Sequence, residues 1–385
     1  MSTVAIIGTR GYPSYYGGFE TAVRKLAPHL ADNGWDVTVY SRPHATVPAD
    51  PTRDPRVKVR YTWGIERRSL STLTFGLSSA VQAATQKPDV ALIMNVANCL
   101  WLPIYKLRGI PTLVNVDGIE WERKKWGLAA RTVFHLGARA TARWANQLVF
   151  DAQAIAARWR SEFRREGVVI PYGGDPREQT LPLPGIVNAG EYVLLVCRFV
   201  PENTVEEFFE AVEGIAGSIP VVLVGSEGYG GPFDVRASGL AQRFADVHWL
   251  GHVKDDDLLH SLWQHAGVYF HGHTVGGTNP ALVQAMALGA PTIAVDTVFN
   301  RETLGPSGRF VAPSARIIEA EIRELMSNPH ERMRLGEDAK RRAMKDYSWD
   351  GVNSRYEVAL NDLIASARDK NATARNKAAA ARGRR

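Results

Sequence analysis

The sequence has few cysteines and no long apolar run, and these absences exclude several classes of protein. Two cysteines among 385 residues, Cys99 and Cys197, cannot build a disulfide scaffold or a cysteine-rich zinc module. A transmembrane helix needs about 20 apolar residues. The longest apolar runs, Val90–Met94 and Tyr192–Cys197, have the length of strands. No basic segment precedes the first apolar run at Val4, so no signal peptide is visible and a cytoplasmic location is expected.

Short apolar runs alternate with segments of helical periodicity, and this rhythm predicts parallel sheets covered on both faces. In the first half, strands are expected at 4–7, 37–40, 57–61, 90–94, 112–116 and 147–150, with helices at 19–34, 72–86, 98–107, 130–144 and 152–164. Proline and glycine crowd residues 171–190, which is typical of a linker. A second series then predicts strands at 192–197, 221–224, 247–250, 268–270 and 292–295, with helices at 204–213, 256–265, 279–288, 315–327 and 330–345. We therefore expect two doubly wound α/β domains.

The loop 8–18 follows the first predicted strand and opens the first predicted helix. In open α/β sheets this is where ligands bind. Gly17 and Gly18 allow a backbone to approach a ligand closely, and the helix start favours anions or sugar oxygens. The loop lacks the G-x-G-x-x-G pattern, which disfavours a nicotinamide dehydrogenase. An ordinary glycine turn is the alternative interpretation.

The segment 115–126 is dense in ionisable and aromatic residues and also follows a predicted strand. Asp117 and Glu120 can accept hydrogen bonds from hydroxyl groups, and Trp121 can stack on a sugar face. The alternative is a solvated helix start at which Asp117 is the N-cap.

Two further loops follow predicted strands of the second half. In 198–203, Arg198 at a strand end suits a diphosphate, with a surface ion pair to Glu202 as the alternative. In 271–280, two glycines and a threonine form a cradle of backbone donors at a helix start, and a glutamine lies one turn further on. These residues are Gly276, Gly277, Thr278 and Gln284, with Asn279 and Pro280 at the helix start. The histidines 271 and 273 lack a third ligand at metal-site spacing. Asp255–Asp257 is interpreted as an acidic helix start.

Five stretches together resemble the GT-B glycosyltransferases of family 4, and more narrowly a bacterial rhamnosyltransferase-like subgroup. The stretches are GTRGYPSYYGGFE (8–20), NVDGIEWERKKW (115–126), RFVPEN (198–203), HGHTVGGTNPALVQAM (271–286) and FNRETL (299–304). The sequence YSW at 347–349 resembles the start of the last helix of that family, which crosses back to the first domain. The resemblance spans about residues 1–365.

This resemblance implies the GT-B fold, in which two Rossmann-like domains face each other across a cleft. It assigns 1–175 to an acceptor-binding domain, 186–346 to a nucleotide-sugar-binding domain and 347–365 to the returning helix. It implies catalytic roles for Asp117 and Arg198. The residues that the resemblance implies for donor binding are Gly17, Gly18, Arg198, Asn203, His271, Gly276, Gly277, Thr278, Asn279 and Gln284. Those that it implies for acceptor binding are Arg10, Tyr15, Glu20, Glu120 and Trp121. No metal or cofactor is implied.

Two departures from the family pattern concern the donor. The two glutamates of the wider family correspond to Gly276 and Gln284, and its usual lysine corresponds to Asn203. One cation at the diphosphate is therefore missing. His271, His273 or a cation of the first domain such as Arg10 is expected to compensate.

The resemblance implies a retaining, metal-independent hexosyltransferase that uses a nucleotide-diphosphate sugar, with rhamnose as the leading sugar. The acceptor would be a saccharide or a polyprenyl-linked saccharide in cell-surface polysaccharide synthesis. A nucleotide-sugar 2-epimerase of the same architecture is one alternative. A nucleic-acid-binding protein acting through a basic tail is another, although no RNA-binding motif accompanies the tail.

The net charge of the chain, +6, is concentrated at its end. Residues 366–385 contain seven basic residues and one acidic residue, which leaves 39 of each sign in the rest of the chain. This stretch has no large apolar residue and is expected to be disordered or only transiently helical. An anionic membrane leaflet attracts such segments, so the tail is expected to hold the enzyme peripherally at the inner face of the plasma membrane. A tail that serves only solubility is the alternative.

Overall fold

The computed structural model describes residues 1–15, 17–46, 50–66, 68–123 and 126–382. The chain divides into two compact units: Met1–Pro171 with Asp350–Arg385 form the first, and Tyr172–Trp349 form the second. The sequence placed these boundaries near 175 and 346. Among the described residues, none of the helices is both long enough and apolar enough to span a membrane.

The first unit contains a parallel sheet of seven strands in the order β3-β2-β1-β4-β5-β6-β7. The strands are β1 (Thr3–Ile7), β2 (Asp36–Ser41), β3 (Lys58–Tyr61), β4 (Val90–Met94), β5 (Thr112–Asn115), β6 (Gln147–Phe150) and β7 (Val168–Val169). The helices are α1 (Gly18–Asp32), α2 (Arg68–Gln86), α3 (Leu102–Leu107), α4 (Leu128–Trp144) and α5 (Gln153–Phe163). All five residues of β4 are buried, as expected for a central parallel strand covered on both faces.

The second unit contains a parallel sheet of six strands in the order β10-β9-β8-β11-β12-β13. The strands are β8 (Val193–Val196), β9 (Val221–Val224), β10 (Val247–Trp249), β11 (Val268–His271), β12 (Thr292–Val295) and β13 (Gly308–Val311). The helices are α6 (Val205–Ile215), α7 (Pro232–Arg243), α8 (Asp256–Gln264), α9 (Pro280–Ala287), α10 (Val298–Leu304), α11 (Ala315–Met326) and α12 (Pro329–Asp346). Val193 and Leu195 enter one apolar core and Leu194 enters another, so both faces of this sheet are covered. The predicted α/β class with two doubly wound sheets is confirmed.

Each sheet reverses its strand order once, and this reversal locates the ligand sites. In the first unit the reversal lies between β1 and β4, and in the second between β8 and β11. Ligands of open α/β sheets bind outside the carboxyl ends of the strands at this point. The loop 8–17 follows β1, and the loops 197–204 and 272–279 follow β8 and β11. The topology therefore brings three of the four candidate loops to switch points.

The chain ends in one long helix, α13 (Trp349–Arg382). It begins within the YSW motif, and from Asp350 onward it belongs to the first unit. Residues 366–382, expected to be disordered or only transiently helical, continue this helix in the structure. Alanine, arginine and lysine have high helix propensity, so they extend a helix that is already nucleated by packing.

Candidate active site

The loop after β1 starts with a glycine that the fold requires. Gly8 has φ +100°, and a Cβ atom there would lie 2.1 Å from the carbonyl oxygen of Met94 at the end of β4. The loop after β1 is therefore in direct contact with the end of β4, the strand on the other side of the switch point. A side chain at Gly8 would displace the loop.

The candidate acceptor residues of this loop are tied to each other and to α1. The main-chain N–H of Arg10 donates to Oε1 of the buried Glu20 at 2.9 Å, so Glu20 holds the loop in place. Tyr15 is partly exposed, but its hydroxyl donates to Asp50 and the Arg24 guanidinium covers its ring. The structure thus places Glu20 and Tyr15 in support of the loop rather than as open acceptor ligands.

The predicted donor glycines of the first unit lie at the start of α1. Gly17 is the N-cap of that helix and Gly18 its first residue. Among the described residues, a Cβ atom at Gly17 would meet only Glu20 Oε2, at 3.5 Å, so these residues leave space beside the helix start. The pair remains our prediction for close approach of a ligand to the main chain.

Asp117, the predicted catalytic residue of the first unit, has a strained backbone. Its φ is +61°, a left-handed conformation that is uncommon for residues other than glycine. The side chain of Asn115 accepts a hydrogen bond from the Asp117 N–H at 2.9 Å. Asn115 in turn donates to the hydroxyl of Tyr356 on α13 at 2.6 Å. Strain of this kind persists only where neighbours enforce it, and it is often found at functional sites.

Two predicted acceptor residues, Glu120 and Trp121, are buried and make contacts within the first unit, and their assignment to acceptor binding stays a prediction. The buried carboxylate of Glu120 pairs with Arg123 at 2.5 Å and accepts from the indole N–H of Trp126 at 2.9 Å. The buried Trp121 ring packs against three aromatic rings of the same unit. These partners are His135 at a centroid distance of 6.0 Å, Phe163 at 5.8 Å and Trp159 at 6.1 Å. Sequence alone could not separate an exposed aromatic residue from a buried one here.

Arg198, the predicted catalytic residue of the second unit, follows β8 and is exposed. Among the described residues its guanidinium makes no hydrogen bond or ion pair, and the alternative of a salt bridge to Glu202 is wrong. Its main-chain carbonyl, in contrast, accepts from the N–H of Val200 at 3.0 Å and from Asn203 Nδ2 at 2.8 Å. The backbone is thus fixed while the charged group remains available for an anion.

The loops after β8 and β11 are cross-linked through Asn203, which stands where the family usually has lysine. Its Oδ1 lies 2.6 Å from His273 Nδ1 while its Nδ2 donates to Arg198. Thr204 donates from its hydroxyl to the carbonyl of Gly272 at 2.7 Å and has a left-handed φ of +54°. Asn203 therefore holds the main chain of Arg198 and the ring of His273, and its assignment to donor binding stays a prediction.

Asn300, which the site prediction missed, also supports this loop. Its Nδ2 lies 2.9 Å from the carbonyl of His273 and 2.8 Å from that of Val295. It belongs to the FNRETL stretch, so the resemblance itself was the signal that could have found it.

The expectation that His271 helps to compensate for the missing cation stays a prediction. The ring is buried at the end of β11, with Nδ1 3.0 Å from the hydroxyl of Tyr269 and Nε2 buried without a hydrogen-bond partner. Burial lowers its pKa to about 3. In the absence of a bound anion the imidazole is therefore neutral at physiological pH.

The buried His271 should make stability fall in acid. Its pKa is about 3 in the folded chain against an ordinary value of 6.5, so the unfolded state binds more protons between these limits. The free energy of unfolding should decrease as the pH falls below about 6.5, by up to about 1.4 kcal/mol per pH unit from this group. Denaturant unfolding at several pH values should show a shallower decrease for His271→Gln. Equal pH dependence of the two proteins would contradict this assignment.

The glycine loop after β11 leads directly into α9. Gly276 has φ +109°, which requires glycine, and Gly277 and Thr278 are buried. Asn279 is the N-cap, and its side chain accepts from the N–H of Ala281 at 2.9 Å. The loop and helix start remain our prediction for the phosphates and the sugar, while the Oδ1 of Asn279 is used by the cap.

Gln284, predicted to bind the donor, contacts the main chain of Asp175, and its role in donor binding stays a prediction. Its Oε1 accepts from the N–H of Asp175 and its Nε2 donates to the carbonyl of the same residue, both at 2.9 Å. This amide anchors the start of the segment that precedes β8. The interpretation of Asp255 as an acidic helix start is confirmed, since its carboxylate caps α8.

Two family matches identify the class of protein. Residues 17–173 match the family described as Glycosyl transferase 4-like domain, and residues 179–342 match Glycosyl transferases group 1. The two matches lie on the two structural units. The chain is therefore a glycosyltransferase built from these two domains.

Individual relatives agree with this class. The chain is 25% identical to the MMP alpha-(1->4)-mannosyltransferase of Mycolicibacterium hassiacum, over 94% of this chain and 98% of that protein. It is similar to the sucrose-phosphate synthase of Thermosynechococcus elongatus, with 19% identity, a TM-score of 0.78, and coverage of 95% and 100% of the two chains. It is also similar to HepE of Anabaena in complex with UDP-glucose, with 14% identity, a TM-score of 0.73, and coverage of 94% and 100%. The structural likenesses show the GT-B glycosyltransferase fold.

Proposed function

We propose that this glycosyltransferase moves a sugar from a nucleotide-diphosphate sugar to a saccharide or lipid-linked acceptor in cell-surface polysaccharide synthesis. The observation that carries the proposal is the exposed Arg198 guanidinium, which has no partner among the described residues and lies at the switch point of the second unit. A planar cation with several N–H donors suits a diphosphate. The HepE structure, which shares the fold, is titled as a complex with UDP-glucose.

The second unit is the proposed donor domain. Arg198 would neutralise the diphosphate, and the main chain of Gly276 and Gly277 would donate to its oxygens at the start of α9. His273 is held by Asn203 in the same pair of loops. The first unit, with Asp117, is the proposed acceptor domain.

The proposed reaction retains the anomeric configuration. The bond from the anomeric carbon to the diphosphate oxygen breaks, and the acceptor oxygen bonds to the same face of the sugar. The acceptor proton passes to the departing diphosphate. Arg198 stabilises the negative charge that grows on the leaving group, and Asp117 stabilises the positive charge that grows on the sugar. Positioning of the two substrates supplies a further part of the rate enhancement.

The donor sugar and the metal requirement are proposals of the same kind. Rhamnose is suggested by the sequence motifs, and the relative from Mycolicibacterium is named as a mannosyltransferase. Because Arg198 and main-chain donors can stabilise the diphosphate, we propose that transfer needs no divalent cation. A chelator should then leave the transfer rate unchanged, and loss of activity that added magnesium or manganese restores would overturn this part.

A donor screen tests the proposed function. Purified full chain is heated with dTDP-rhamnose, GDP-mannose or UDP-glucose, and the true donor should raise its Tm because only the folded state binds it. That donor is then incubated with saccharide and polyprenyl-linked acceptors, and NMR gives the anomeric configuration of the product. Conversion of the donor to its epimer without an acceptor would instead establish the 2-epimerase alternative. Inversion at the anomeric carbon would overturn the retaining mechanism alone.

A further inference from the structure

The first unit carries exposed apolar side chains at the end of β3, on the segment that follows it and on α2. We call this group the β3–α2 surface, and it consists of Tyr61, Trp63, Ile65, Leu77 and Val81. Trp63 is 71% exposed, which is unusual for the largest apolar side chain. Single exposed apolar residues are ordinary, but a contiguous group marks an interaction site.

The exposure of these residues follows from the regular structure of the segment. Thr62 is buried, and a Cβ atom at Gly64 would lie 2.5 Å from the ring of Phe75 on α2. The side chains of an extended chain alternate between two faces, so Trp63 and Ile65 face away from the helix.

Hydrogen bonds hold this segment along α2. The N–H of Trp63 donates to Ser78 Oγ at 3.0 Å, and the N–H of Ile65 donates to Thr74 Oγ1 at 2.9 Å. On the helix, Leu77 lies one position before Ser78, and Val81 lies one turn further on. The strand and helix rows therefore form one surface.

Cations border the surface at the carboxyl end of α2. Arg60 donates to Gln86, the last residue of α2, and Arg108 donates to the carbonyl of Ala84. The second contact brings Lys106 and the 87% exposed Leu107 to the same end. The surface thus combines an aromatic and aliphatic row with a basic border, beside one exposed acidic residue of the segment, Glu66.

We propose that the β3–α2 surface docks on an anionic lipid bilayer. Tryptophan and tyrosine favour the boundary between headgroups and acyl chains, and the basic border complements anionic headgroups. Stable attachment of a peripheral protein usually takes two signals. The second signal is the basic end of α13: Arg368 lies 3.6 Å from Asp89, three residues after the end of α2, so this stretch starts beside the same surface.

Sedimentation of the full chain with vesicles tests this docking. The chain should bind vesicles that contain phosphatidylglycerol more tightly than vesicles of phosphatidylcholine alone, and added salt should weaken the binding. Trp63→Ser combined with Leu77→Ser should weaken binding to both kinds of vesicle about tenfold or more, because apolar side chains no longer enter the interface. Lys106→Glu with Arg108→Glu should weaken the preference for phosphatidylglycerol, while the basic end of α13 keeps part of it.

A matched control uses apolar residues of the second unit. Tyr229 is 79% exposed and Val298 is 61% exposed, and their double replacement by serine should leave vesicle binding unchanged. Unchanged binding of the Trp63/Leu77 variant would overturn the proposal, as would a wild-type chain that binds neither vesicle. A concentration-dependent dimer that the same variant abolishes would assign the surface to a second copy instead. The rise in Tm caused by the donor is measured on the same variants. A failure of vesicle docking can then be distinguished from a failure of the proposed function.

Discussion

Replacement of Arg198 by alanine should lower the rate of transfer by about 10²- to 10³-fold while the second unit stays folded. The exposed guanidinium has no partner among the described residues, so its removal breaks no hydrogen bond or ion pair with them. The lost group is the side-chain cation that we assign to the leaving diphosphate. Arg198→Lys should recover only part of the rate, because an ammonium keeps the charge but not the bidentate geometry. The measurements are kcat/KM with the true donor and the Tm of each variant.

The matched control for this prediction is Arg243→Ala. Arg243 is an exposed arginine of the same unit on α7, where it pairs with Glu213 and lies over the ring of Phe244. Exposed pairs of this kind contribute about 0–1 kcal/mol, so this variant should keep both its activity and its stability. An Arg198→Ala enzyme with near-normal turnover would remove Arg198 from the mechanism. An Arg198→Ala enzyme that unfolds would show a structural role instead.

The sequence predicted the central strands well because their apolar runs are continuous. Val90–Met94, buried along its whole length, was predicted with its exact bounds. The elements that were missed are short or have weaker patterns: β7 has two residues, β13 is a half-buried edge strand, α7 contains a proline and a glycine, and α10 has seven residues. The helical end of α13 was not predicted as a stable element. The composition of this stretch shows only that it cannot bury an apolar core, whereas continuation of a helix depends on the packed turns that precede it.

The candidate site was predicted at the level of loops more successfully than at the level of side chains. Strand ends and glycines identify a loop from local sequence, and the topology places these loops at switch points. The orientation of a side chain depends on partners that are distant in the chain. Trp121 packs against Trp159, and Gln284 contacts Asp175, and neither partner is visible as a motif. For the same reason the sequence did not indicate the hydrogen bond between Asn115 and Tyr356, which are 241 positions apart.

Strained residues occur in the candidate loops of both units. Asp117 and Thr204 each have a left-handed φ, and each is adjacent to a hydrogen-bonded side chain that holds its loop. For a β-branched residue such as Thr204 this conformation is a clear outlier. Each unit therefore fixes the backbone beside its proposed catalytic residue, which favours a site that is organised before the substrates bind.

Asp117→Asn should lower kcat about 100-fold and leave the KM for the donor nearly unchanged. The positive charge on the sugar develops in the transition state, so the carboxylate acts there and contributes little to binding of the ground state. Asparagine tolerates the left-handed conformation, and its amide has nearly the shape of the carboxylate. The free energy of unfolding should therefore stay within about 1 kcal/mol of the wild type. A kcat within a few-fold of the wild type would show that Asp117 does not act on the reacting sugar.

The Tyr356→Phe variant tests whether α13 positions Asp117 through Asn115. Burial raises the pKa of the Tyr356 phenol well above its usual value, so the hydroxyl stays protonated. Its loss should cost about 1 kcal/mol of stability and lower kcat about tenfold, with the KM for the donor unchanged. In the Asp117→Asn background the same change should have little further effect on kcat, which a double-mutant cycle measures.

The matched control is Tyr192→Phe, a buried tyrosine of the second unit that donates to the carbonyl of Leu262. It should lose similar stability and keep its kcat, and a similar loss of kcat in both variants would reduce the role of Tyr356 to packing.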